Sequence, residues 1–153
     1  MNTLTASALN KFCGLMFILK RSKVDFEMVA DEIENYTLKS ALNGLSEESS
    51  FYASELKNYL KLLGVNALSI NATEFSSNYF EGDVSDNENC EKGLELQSLC
   101  RFNEKSLTQA YSDLLDEPFP CKSLKEIVGY QLNDLKISFQ KIQTLNIARF
   151  AMY

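Results

Sequence analysis

Four polar residues stand where an apolar helical row predicts a hydrophobic side chain. Lys23 falls between Leu19 and Phe26, Glu48 (with Ser49 beside it) between Leu45 and Tyr52, Glu104 between Cys100 and Leu107, and Gln131 between Val128 and Leu135. An ammonium, two carboxylates and a carboxamide turned toward one interior would make a polar centre, able to hold a metal ion or a small ligand. Two plainer arrangements use the same side chains. Lys23 and Glu104 lie at similar fractions of their segments, so they can neutralise each other as a buried ion pair. Alternatively, Lys23 can run its stem along apolar surface and leave the ammonium in water. A buried charge without either outlet is costly.

What these residues cannot do follows from a missing type. Among 153 residues there is no histidine. A Ser-His-Asp triad, a Cys-His pair and His-ligated zinc or haem are therefore excluded. Cys13, Cys90, Cys100 and Cys121 are widely spaced, with no C-x-x-C pair, and read as reduced thiols behaving as small hydrophobes. No cofactor is expected from the residues themselves.

Twenty-one acidic residues against fifteen basic ones give a net charge of −6. That balance argues against nucleic-acid binding, which needs clustered Lys and Arg. The densest basic run, Lys20-Arg21-Ser22-Lys23, sits inside an apolar helical pattern and reads mostly as a solvated face. The most apolar run, Phe12 to Leu19, has eight residues, against the roughly 20 that cross a bilayer, so no stable membrane insertion is expected. Met1 to Ala8 lacks the basic start of a secretory signal, which leaves the Asn35 and Asn71 sequons without consequence and points to a cytoplasmic protein.

The elements that must position the four residues are helices. Leu9, Phe12, Met16, Leu19, Phe26, Ala30 and Ile33 recur in steps of three, four and seven, over about 5–34. Thr37 can cap a second helix over about 37–63, striped by Leu38, Leu42, Leu45, Tyr52, Leu56, Tyr59 and Leu63 and stopped by Gly64. Ser85-x-x-Glu88 is a capping box for a third helix over about 86–116. Its stripe is Leu94, Gln97, Cys100, Leu107, Tyr111 and Leu114, and Pro118 and Pro120 close it. Ser123-x-x-Glu126 opens a fourth over about 123–149, with Leu124, Val128, Gln131, Leu135, Phe139, Ile142 and Leu145.

The connections are short, long, short. A helix of about 27 residues rises about 40 Å, and the 21 residues from Val65 to Ser85 extend to about 70 Å at 3.3 Å each. The middle connection can cross the bundle and bring the third helix in parallel to the second, whereas the short links force antiparallel neighbours. The expectation is one all-α domain over residues 1–153, a four-helix bundle with a single crossover. A plain up-down-up-down bundle with an ornamental loop is the alternative.

Val29-Ala-Asp-Glu-Ile33, Leu38-Lys-Ser-Ala-Leu42, Tyr52-Ala-Ser-Glu-Leu-Lys57 and Leu62-Leu-Gly64 resemble the first half of small bacterial ferritin-like proteins of an uncharacterised family. Cys100-Arg-Phe-Asn-Glu104, Ala110-Tyr111, Tyr130-Gln-Leu132 and Ile142-Gln-Thr-Leu145 resemble the second half. Ferritin-like proteins with a dinuclear metal centre carry a Glu on two helices and Glu-x-x-His on the other two. By that resemblance Glu104 would be the third-helix ligand, Lys23 would replace the first-helix Glu, and Phe139 would replace the fourth-helix His. Glu48 would be followed by Phe51 instead of His. A cation and a phenyl ring hold no metal.

The resemblance thus implies a bundle whose metal centre is dismantled, with Lys23, Glu48, Glu104 and Gln131 as its remnant binding residues. A non-enzymatic module working through association, as a homodimer or with a protein partner, is the expected role. Phe75, Tyr79 and Phe80, with the apolar Ile147 to Tyr153, are the candidate contact surface. A di-iron protein or oxidoreductase is the alternative, needing further ligands such as Asp134 or Glu55.

Overall fold

The computed structural model describes residues 4–64 and 92–151, and these form four helices: α1 (Ala6–Glu32), α2 (Tyr36–Leu62), α3 (Lys92–Leu115) and α4 (Lys122–Ala151). Among the described residues there is no strand. Thr5 caps α1, its hydroxyl accepting from the Ala8 amide at 3.0 Å. Asn35, not Thr37, caps α2: its side-chain oxygen accepts from the Leu38 amide at 2.9 Å, two residues earlier than expected. An Asn carboxamide satisfies the orphan amides of the first turn as well as a hydroxyl does.

Gly64 ends α2 with φ of +78°, the left-handed conformation that glycine adopts without steric cost. The Ser123 capping box is not used as expected, because α4 begins at Lys122 and Ser123 lies within the first turn. Pro118 and Pro120 follow the end of α3 at Leu115. The expected capping box at Ser85 and Glu88, and the connection expected to cross the bundle, lie outside the described residues.

The predicted rows face inward. Phe12, Leu19, Phe26, Leu38, Leu42, Leu56, Tyr111, Leu124 and Val128 are fully enclosed, and with most of the other described row residues they form one continuous core, from which Leu63, 40% exposed at the end of α2, is left out. Burying each large side chain contributes about 1.5–3 kcal/mol, and that contribution holds the helices together.

Each helix packs on two neighbours, in the cyclic order α1, α2, α4, α3. Side-chain pairs give the directions. Ser7 and Lys11 meet Glu117, and Ser22 meets Asn103, so α1 and α3 are antiparallel. Glu48 meets Ser138 and Glu55 meets Gln131, so α2 and α4 are antiparallel. The short links make α1–α2 and α3–α4 antiparallel as well, which leaves α2 and α3 parallel across a diagonal.

Candidate functional site

At mid-height the inward positions are one residue away from those expected on two helices. Ser22, not Lys23, is the enclosed residue of α1, and Asn103, not Glu104, is that of α3. The Ser22 hydroxyl donates to Asn103 Oδ1 at 2.7 Å, and Asn103 Nδ2 donates to the Leu99 carbonyl at 3.0 Å. Lys23 turns outward to Glu27, one helical turn along, at 2.6 Å, with both side chains more than a third exposed. Glu104 accepts instead from Gln143 Nε2 at 3.0 Å.

The Lys23–Glu104 pair is therefore not formed. A rotation of one position carries a side chain about 100° around the helix, and the long Lys stem reaches water from there. Because exposed i,i+4 pairs contribute little, Lys23→Met is expected to change unfolding free energy by less than about 0.5 kcal/mol in thermal or urea denaturation.

Phe139 does occupy the interior, packed edge-to-face against Phe26 across the α1–α4 diagonal with centroids 5.7 Å apart. Phe51 does not, being 62% exposed, so Glu48-x-x-Phe51 never presented two side chains to one interior point.

The larger polar group lies between α2 and α4. Glu48 is partly buried; its Oε1 accepts from the Ser138 hydroxyl at 2.6 Å and its Oε2 from the Tyr52 hydroxyl at 2.9 Å. The same hydroxyl stands 3.2 Å from Asp134 Oδ2. One phenolic proton cannot be donated to both carboxylates at once. Burial and the adjacent Glu48 push the Tyr52 phenol far above its usual range, so it stays protonated.

Two turns along, Gln131 is enclosed. Its oxygen accepts from the Tyr111 hydroxyl at 2.8 Å, and its amide donates to Glu55 Oε1 at 2.8 Å and toward the Tyr52 carbonyl at 3.4 Å. Tyr111 is likewise held as a phenol by burial. Of the network's residues, Glu55 and Asp134 were expected only as extra ligands of the di-iron alternative, and Tyr52, Tyr111 and Ser138 were not expected as members. Tyr52 and Tyr111 look like ordinary apolar row residues, and the other three lie beside the rows.

Beside the Ser22–Asn103 pair, burial raises the Asp25 carboxyl, opposed by Arg21 and by a hydrogen bond from Asn103. A carboxyl raised by folding binds its proton more tightly in the native state. Its contribution is therefore complete below the ordinary value of 3.8 and is lost as pH rises through the folded value. Asp25→Asn should flatten that decline, read as Tm against pH in the range just above 3.8.

The chemistry this arrangement offers is acceptance of positive charge. Among the described residues Glu48, Glu55 and Asp134 accept from neutral donors: the hydroxyls of Ser138 and Tyr52 and the Gln131 carboxamide. Among the described residues no group of three or more His, Cys, Asp or Glu could hold a metal ion. Beside Glu48 a groove of about 350 Å³ opens between α2 and α4.

Ile147 is 66% exposed, whereas Phe75, Tyr79 and Phe80 and the side chains beyond residue 148 lie outside the described residues. Among the described residues no helix is long and apolar enough to cross a membrane. No family model, curated protein or solved structure matches the chain.

Proposed function

We propose that this chain is a ferritin-like, single-crossover four-helix bundle whose metal layer has been filled by its own side chains, and that it acts through association and not through metal chemistry. The observation that carries this reading is the content of the mid-height layer. Its enclosed polar residues include Ser22, Ser46, Ser49, Asn103 and Gln131, with the Phe26–Phe139 pair closing the diagonal. Two of these polar residues bond their own helix (Ser49 to the Leu45 carbonyl, Asn103 to that of Leu99), and among the described residues no carboxylate is buried. The parallel course of α2 and α3 supports the crossover, since the segment joining them must start at one end of the bundle and arrive at the other. That topology fits the ferritin-like resemblance of the helix-face motifs.

Association is supported by large apolar side chains left in solvent. Phe51, Tyr130 and Ile137 lie on α2 and α4, and Val24 and Met28 lie one turn apart on α1, all at least half exposed. The test has two readouts on one preparation: iron per chain after aerobic iron loading, and mass by light scattering across concentration. The reading expects no stoichiometric iron and a mass of two or more chains. Stoichiometric iron would restore the di-iron alternative, and a monomer at high concentration would remove self-association.

A further inference from the structure

We infer that the groove between the N-terminal half of α2 and the middle of α4 is a binding site for a small zwitterion, an amino acid or amino-alkyl carboxylate. Its ammonium would sit on Glu48 and its carboxylate on Lys141. Both charged residues line the cavity of about 350 Å³, together with the hydroxyls of Ser40 and Thr37 and the apolar surface of Ala41 and Ile142. The volume suits a compact metabolite, at the lower end of ordinary ligand pockets.

Three observations point to an occupant with charges of both signs. First, Glu48 and Lys141 share the groove yet form no ion pair within 4.0 Å, so each charge remains available. Second, the Glu48 carboxylate is held in place by Ser138 at 2.6 Å and Tyr52 at 2.9 Å, both neutral donors. Each of its oxygens keeps a further lone pair for an ammonium, and a carboxylate fixed beforehand loses little freedom on binding. Third, Gly44 stands on the groove wall in the interior of α2, where glycine is less favourable than alanine. Nothing lies within 4 Å of the place its Cβ would take, so packing does not demand the glycine. Its effect there is to leave the groove open.

Gly129 on α4 is equally unobstructed and does not line the groove, which supplies a control. Backbone amide shifts of the full chain would be followed by NMR during titration with glycine, glutamate, 4-aminobutyrate and 6-aminohexanoate, with butylamine and butyrate as single-charge probes. At least one zwitterion should move the amides of Ser40, Gly44, Ser138 and Lys141 with a Kd below about 1 mM. Gly44→Leu and Lys141→Met should each weaken that binding by roughly tenfold or more, about 1.4 kcal/mol at 25 °C, while Gly129→Leu leaves it intact. The site does not exist if no zwitterion shifts these amides, or if Gly44→Leu binds as the parent does. Equal binding of butylamine would replace the zwitterion by a simple cation and overturn the role of Lys141. None of these outcomes depends on iron content or on oligomer mass, so the site can fail while the proposed function stands.

Discussion

Phe139→Ala is expected to destabilise the bundle by about 3–5 kcal/mol, read from the urea unfolding midpoint at constant m. The ring is 1% exposed, and it meets Phe26 edge-to-face at the diagonal of the mid-height layer. Truncation removes both the transfer term of the buried ring and its favourable quadrupole contact, and it leaves a cavity between four helices that cannot close independently. A loss of that size is a large part of the about 5–15 kcal/mol that holds a typical domain folded. Phe139→Leu keeps most of the volume and should cost less than about 1.5 kcal/mol plus the lost ring contact. If alanine and leucine cost the same small amount, the diagonal contact does not hold this layer together.

Gln131→Met should cost about 2–3 kcal/mol, by a different mechanism. Methionine matches the glutamine in length, so little packing is lost. What is lost is an acceptor for the enclosed Tyr111 hydroxyl and a donor to Glu55. Glu55 is partly exposed and can turn to water, so most of the penalty falls on Tyr111, which has no solvent to turn to. Tyr111→Phe in the Gln131→Met background should therefore cost less than in the parent, with a coupling of about 1–2 kcal/mol in a double-mutant cycle. Strict additivity would mean that the two side chains do not depend on each other.

Both predictions rest on residues that the sequence places in rows, and the rows are its strongest statement. Phe139 and Gln131 are enclosed as expected, as are Leu19, Phe26, Leu45 and Val128. The helix ends were legible where a residue had one favourable option, as with Gly64 in the left-handed region. Where two polar residues competed for a cap, spacing could not choose, and Asn35 took the place assigned to Thr37. The candidate site was less legible. Glu48 was identified, but its partners Tyr52, Asp134 and Ser138 come from two helices whose register is unknown before they pack.

By themselves, the residue types determine that four amphipathic helices form, and that histidine chemistry is absent from any site they build. Which polar residue enters the interior was decided only by tertiary structure. An apolar row advances by three or four positions per turn because a helix has 3.6 residues per turn. Between Leu19 and Phe26 the inward place therefore belongs equally to Ser22 or Lys23, and between Cys100 and Leu107 to Asn103 or Glu104. Packing sets the rotation of each helix, and it favours burying a hydroxyl and a carboxamide that bond each other at 2.7 Å over dehydrating an ammonium and a carboxylate. That rotation sends Lys23 out to Glu27, and among the described residues no charged side chain is buried. The carboxylates of Glu48, Glu55 and Asp134 lie instead between α2 and α4, where the groove opens beside Glu48.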